Sequence, residues 1–203
     1  MIISLPRYDD PDAYYSQTNN VVETILAKVG ANRKLETCGP TAAVMLIEAT
    51  GRHIGHLYAE PNLWDPQSED VLACWFNDPR NYPAMRAIRG DVDPASIMGN
   101  EVPQWYEAAI PAVFGVGARF YWGLDDIQIQ ATLKLGRGLL CTLIKPGHYI
   151  AIVGYDTDTR EVIYHDPWSV NPWPARYVGK PGRLRRLTVE EQANLKPYRV
   201  EVG

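Results

Sequence analysis

The 203-residue sequence predicts an α+β protein. Three observations carry that prediction. Helix signals dominate the first half of the chain. Near-continuous apolar runs bounded by turn residues dominate the second half. The two kinds are segregated rather than alternating, so an antiparallel sheet beside a helical layer fits better than a parallel βαβ sheet. Hydrophobic residues make up 46% of the chain and charged residues 22%, enough apolar content for one large domain to bury a full core.

Each element has its own local reason. Residues 1–20 read as an extended arm rich in Asp, Tyr and Asn, and 21–29 as a short helix. The main helix spans about 39–50: Pro40 suits a first helical turn, Ala42 to Ala49 are good helix formers, and Gly51 stops it. Residues 52–100 read as irregular, broken by Pro61, Pro66, Pro79, Pro83 and Pro94, apart from a short helix at 69–76 with Ser68 as its N-cap. Pro103 opens another helix through Ala109. The stretch 52–116 is long for a loop and reads as an insertion or subdomain within a single domain over 1–203. Ala118 to Trp122 is a strand. Asp125 or Asp126 then caps a helix ending at Gly136. Strands follow at 139–144, 148–153 and 161–165. Thr188-Val189-Glu190-Glu191 is a capping box opening a last short helix, and 198–202 is the final strand.

Several function classes are disfavoured at once. Net charge is −4, so there is no basic excess to grip phosphates, which argues against nucleic acid as a partner. No apolar run approaches the ~18 residues that span a bilayer. Met1 to Arg7 lacks the pattern of a signal peptide, which implies synthesis in the cytoplasm; an enzyme released by lysis, or associated with a phage, would look the same. Cysteines occur at 38, 74 and 141 without paired spacing, which supports neither a disulfide scaffold nor a zinc site. No metal or organic cofactor is implied.

Cys38 is placed where the main helix begins, in Glu36-Thr37-Cys38-Gly39-Pro40-Thr41. First-turn N–H groups point back toward the sulfur and the helix dipole favours negative charge there. That setting can lower a thiol pKa from ~8.5 into the ~3.5–7.5 range. Cys38 is thus a candidate nucleophile, against the alternative of a small buried packing residue.

The base comes from Pro146-Gly147-His148-Tyr149, and its orienter from Tyr164-His165-Asp166-Pro167. The two runs form a hairpin across a polar loop. A turn centred on Thr157 pairs residues whose numbers sum to 314, which sets His148 opposite Asp166 on one face. A one-residue slip would oppose His148 to His165 or Pro167 instead. A thiolate, an imidazolium and a carboxylate in contact constitute acyl-transfer machinery. The backbone N–H of Cys38 and a side-chain amide, from Gln17 or Asn32, are candidate donors to the oxyanion.

Plainer roles compete for each residue. His148 could close a strand end and Asp166 could serve only the Asp-Pro turn. Gln17 could simply be solvated. His165 is a rival base, although alternation turns it away from Asp166. His53 and His56 suit the end of the main helix. Cys74 and Cys141 read as core. Trp64, Trp75, Tyr82, Trp105, Tyr106, Trp122, Trp168 and Trp173 either pack or line a groove.

The order Tyr14-Tyr15-Ser16-Gln17, Cys38-Gly39-Pro40-Thr41, Gly147-His148-Tyr149, Gly154-Tyr155-Asp156, Asp166-Pro167 resembles the papain-like cysteine peptidases related to the double-glycine-leader (bacteriocin-processing) peptidases, in particular their stand-alone branch. The separations agree as well: 110 residues from Cys38 to His148 and 18 from His148 to Asp166. The resemblance implies a two-lobed papain-like fold, a Cys38-His148-Asp166 triad, Gln17 in the oxyanion hole, and a groove for an extended peptide. It implies a thiol hydrolase of peptide or amide bonds. A phage-type lysis enzyme cutting peptidoglycan peptides fits a chain with no membrane-spanning or ATP-binding part. A peptide-binding module without catalysis, and a transglutaminase-like acyltransferase, are the alternatives. Oligomeric state is not legible.

Overall fold

The computed structural model describes residues 1–17, 37–52, 54–58, 67–90, 102–168 and 182–203. The helix expected at 21–29, together with Asn32, His53, Trp64 and Trp173, lies outside the described residues.

The central helix, α1 (Cys38–Ala49), is buried at every position except Glu48. A helix apolar all round belongs in a core, and α1 fills that place. Gly51, at φ +80, follows its end. Next comes α2 (Ser68–Asn77), whose N-cap is Gln67 rather than Ser68, so the helix starts one residue earlier than expected. A third helix, α3 (Tyr82–Ile88), lies where the sequence reads as irregular. Pro83 falls in its first turn, where the missing N–H costs nothing, so that proline opens the helix instead of breaking it. A 3-10 turn at Pro103–Trp105 leads into α4 (Tyr106–Phe114), which runs past Ala109 and ends at Gly115 in the left-handed region. Leu72, Trp75, Phe76, Met85, Tyr106, Ile110 and Val113 from this stretch join the same buried cluster as α1 and the sheet.

The remaining elements are β1 (Ile2–Ser4), β2 (Ala118–Trp122), α5 (Asp126–Lys134), β3 (Gly138–Leu143), β4 (His148–Asp156), β5 (Glu161–His165), β6 (Arg185–Leu187) and β7 (Tyr198–Val202). Asp125 caps α5 through a reciprocal capping box with Gln128. Thr188 and Glu191 exchange the expected pair of bonds ahead of a 3-10 turn. The strands form one antiparallel sheet in the order β2-β7-β3-β4-β5-β6, and β1 pairs with the far end of β4. The N-terminal arm therefore contributes a strand, not only an extended tail. With most helices in the first half and most strands of one antiparallel sheet in the second, the fold is α+β and consistent with a papain-like architecture. Among the described residues no helix is long and apolar enough to cross a membrane.

The β4–β5 hairpin corrects the expected register. Asp156 pairs with Glu161 and Tyr155 with Val162, so partners near the turn sum to 317, not 314. A bulge between Ile152 and Gly154 changes this to Ile152↔Tyr164 and Ala151↔His165, a sum of 316. The bulge decides which face the key residues share. Without it the odd sum would place His148 and Asp166 on opposite faces, because side chains alternate strictly along a strand. With it, Asp166 becomes the diagonal neighbour of His148 on one face, just beyond the last rung of the ladder.

α1 lies directly on the sheet. A Cβ added at Gly138 would overlap Leu46 Cδ2 and come within 3.1 Å of Leu5 Cδ1, both side chains fully enclosed. Gly138→Ala should therefore lower stability by about 1–3 kcal/mol through overpacking. Urea unfolding checks this, and a midpoint equal to wild type would show that α1 has slack against β3.

Candidate active site

Cys38 is the first residue of α1 and is 6% exposed. Thr41 ties the preceding turn back through its N–H and its hydroxyl, both donating to the Thr37 carbonyl at 3.0 and 2.8 Å. His148 is the first residue of β4 and equally enclosed. Gly147, at φ +86, turns the chain into it.

The His148 ring is bonded to a carboxylate and influenced by a thiol. Its Nε2 lies 2.7 Å from Asp166 Oδ1. An ionised carboxylate only accepts, so Nε2–H donates. Cys38 is the other group that acts on this ring, and its effect favours the charged imidazole. Burial disfavours charge on the imidazole. The bond to Asp166, followed by the effect of Cys38, outweighs burial and holds the His148 pKa up at about 9.

Asp166 is completely enclosed. Its Oδ1 also accepts the Trp168 N–H at 2.9 Å, and Oδ2 accepts Arg185 Nη1 at 2.8 Å. Its backbone is fixed as well. The N–H donates to the Gly182 carbonyl at 2.6 Å and the carbonyl accepts the Tyr14 hydroxyl at 3.1 Å. Gly182 sits at φ +82, and a Cβ there would overlap Tyr14 Oη and the Asp166 carbonyl oxygen.

Gln17 is fully buried, unlike the solvated arm residue the composition allows. Its N–H donates to the Pro167 carbonyl at 3.0 Å, so it is tethered to the residue next to Asp166. Its rival Asn32 lies outside the described residues. His165 is turned away from the site, as alternation requires. Its Nδ1 accepts the Leu184 N–H at 3.2 Å and its ring meets Tyr14 edge-on. Burial, then the nearby Arg183 charge, pushes its pKa down to about 3, so it stays neutral. Cys141 is enclosed and burial drives its thiol pKa up, which makes it inert core. Cys74 is buried on α2. His56 bonds Ser68 Oγ at 3.0 Å and packs by Phe114. Of the aromatic residues, Trp75, Trp105 and Tyr106 are core, whereas Trp122 is 71% exposed.

The residue that the sequence reading missed is Arg185. It stands in Arg183-Leu184-Arg185-Arg186, a basic stretch that does not read as a strand, and β6 is only three residues long. Among the described residues no group of three or more His, Cys, Asp or Glu side chains is placed to hold a metal ion. A thiol and a carboxylate joined through one imidazole constitute the arrangement for acyl transfer to sulfur.

A family model described as the Peptidase_C39 like family matches residues 13–177, about four-fifths of the chain and a span that includes Gln17, Cys38, His148 and Asp166. No curated protein matches the chain.

The elevated His148 pKa has a stability consequence with a definite sign. The folded state holds this proton more tightly than an ordinary histidine, whose pKa is about 6.5. The contribution is complete below about pH 6.5 and is lost as pH rises toward about 9, up to roughly 3 kcal/mol. Urea unfolding across that range should show a steeper decline than His148→Ala, and equal slopes would contradict it. Gly182→Ala should displace Asp166 and lower Tm by several degrees, read by calorimetry, with ~1–3 kcal/mol of strain at a left-handed position.

Proposed function

The chain belongs to the Peptidase_C39 like family and is a cysteine peptidase, and on that premise we propose that Cys38, His148 and Asp166 form its catalytic triad with Gln17 in the oxyanion hole. The observation that supports this most is the buried His148 imidazole bonded to Asp166 at 2.7 Å, with Cys38 among the groups that favour its charged form.

The chemistry runs as follows. The Cys38 sulfur, paired as thiolate with the His148 imidazolium, attacks the acyl carbon of the scissile bond. The carbonyl oxygen gains charge and is met by the Cys38 N–H and the Gln17 side-chain amide. His148 gives its Nδ1 proton to the departing amine, leaving a thioester on Cys38. Water then attacks the thioester while His148 takes its proton, and the sulfur leaves. Asp166 keeps Nε2–H engaged, so Nδ1 faces the sulfur throughout.

For the substrate we propose peptides of the bacterial cell wall, cut by an enzyme of the lysis type. The exposed Trp122, with Phe120 and Tyr198 in edge-on contact, offers a stacking surface suited to the sugar faces that flank such peptides. The whole of 1–203 is proposed to act as one domain, with the stretch 52–116 as part of it.

Cys38→Ala should reduce hydrolysis by ~10⁴-fold or more, and Gln17→Ala should lower kcat by about 10²–10³-fold. The assay is muropeptide release from purified cell walls together with cleavage of a peptide library. Walls that stay turbid while the library is cut would remove the wall assignment alone. Iodoacetamide labelling of Cys38 no faster than a free thiol would remove the triad. Transfer to an added amine in preference to water would reassign the chain as an acyltransferase, and binding of peptides without turnover would reassign it as a binding module.

A further inference from the structure

Asp166 carries a charge in a place with no solvent to absorb it. While His148 is protonated, the imidazolium balances that charge. The balance fails at the step where His148 gives its proton to the leaving amine. A buried carboxylate left beside a neutral imidazole would then pull the proton back and make the ring a poor acid. A second, permanent positive charge on the same carboxylate removes this difficulty.

Arg185 supplies one. Its Nη1 lies 2.8 Å from Asp166 Oδ2, and its side chain is 6% exposed. The sheet places it there. Arg185 pairs with Tyr164 on β5, and Asp166 stands two residues beyond Tyr164, on the same face. His148, Asp166 and Arg185 therefore share one face across three neighbouring chain segments. Arg186, on the opposite face, serves Asp156 and Glu161 at the hairpin, an ordinary stabilising role. Among the described residues, the groups that bear on the imidazole are Cys38 from α1 and Asp166 beyond β5, with Arg185 from β6 behind Asp166.

We propose that Arg185 is a positioning residue of the reaction. Its guanidinium fixes Asp166 Oδ2 so that Oδ1 meets His148, and its charge stays on Asp166 through the step in which His148 is neutral. The proposal rests on the triad reading above. Arg suits the role because it stays ionised at every working pH and holds a carboxylate in a fixed orientation.

The test reads Cys38 directly and needs no substrate. Iodoacetamide alkylation of Cys38 is followed by mass spectrometry as a function of pH in wild type, Arg185→Lys and Arg185→Met. The step that marks loss of the His148 proton should rise by about one pH unit in Arg185→Met, because the Asp166–His148 pair then holds its proton more tightly. Arg185→Lys keeps the charge and should leave the step where it is in wild type. On a cleavable peptide, Arg185→Met should lower kcat by about 10²-fold with KM within about twofold. An unmoved step in Arg185→Met, or the same displacement in Arg185→Lys, overturns the proposal.

Arg185→Met leaves a buried carboxylate short of a partner and is the variant at risk of unfolding. The double variant Asp166→Asn/Arg185→Met removes both buried charges together, and Asp166→Asn is its reference. Because Arg185 acts through the Asp166 carboxylate, the two should share one alkylation step to within about 0.3 unit, and a larger difference overturns the proposal. Wild type that shows the alkylation step but cuts no peptide would defeat the peptidase reading while leaving this one standing.

Discussion

The bond from His148 Nε2 to Asp166 Oδ1 is the interaction on which the rest of the site depends. A carboxylate at zero exposure is costly unless every oxygen is engaged. Asp166 meets that condition with three donors of different origin: the His148 ring, the Trp168 backbone N–H and the Arg185 guanidinium. Its own backbone is pinned by Gly182 and Tyr14. Three segments far apart in sequence thus converge on this one residue: 14–17 and Gly182 on its backbone side, His148 and Arg185 on its carboxylate. The candidate oxyanion amide belongs to the same junction, since Gln17 is bonded to the Pro167 carbonyl. Asp166 and Gln17 are consequently fixed relative to each other before the sulfur is considered.

Register explains how the junction is reached. The β4–β5 turn sets the strands in an odd phase, which is right for the ion pairs at its own end, where Arg186 reaches both Asp156 and Glu161. That phase is wrong for the site at the other end. One extra residue in β4 changes the parity between the two ends of the same strand, so the hairpin satisfies both. The tool is local and its effect lies about five residues away, where a strand has advanced ~16 Å.

Much of this was legible in the sequence because the signals are short-range. β2, β5 and β7 have the expected ends, and α1 begins at the Cys38-Gly39-Pro40 signal. The capping boxes at Asp125 and Thr188 are fixed by side chains three residues apart, so the sequence displays them directly. The candidate triad was visible through residue type and order. What escaped depends on contacts between distant segments. The bulge adjoins Gly154, a strand glycine that can signal one, but nothing local says that the extra residue changes the phase between the two ends of β4. β6 is three residues of Arg-Arg-Leu that become a strand only because β5 offers an edge, and Arg185 gains meaning only from the Asp166 it meets there. Gln17 was legible as a candidate oxyanion amide, but its burial was not, because its cover comes from elsewhere in the chain. α3 was missed for the opposite reason, a local signal read with the wrong sign, since Pro83 begins a helix as readily as it interrupts one.

The parts of the site differ in what holds them. Cys38 rides on a helix buried along nearly its whole length, pressed against β3 where Gly138 leaves room only for Leu46. His148 opens a strand whose first eight residues are buried. Sulfur and imidazole are therefore placed by core packing, which deforms little, and their separation is a property of the α1–sheet interface. Asp166 lies just past a strand end and has no such support. Its position depends on hydrogen bonds and on a glycine that no other residue replaces without overlap. It follows that core substitutions under α1 alter the Cys38–His148 distance together with global stability. Changes around Gly182, Tyr14 and Arg185 instead act on the orientation and charge of the Asp166–His148 pair while the core stays intact. On the proposed triad, activity is then lost by two separable routes, and only the second leaves a folded protein with a misdirected imidazole.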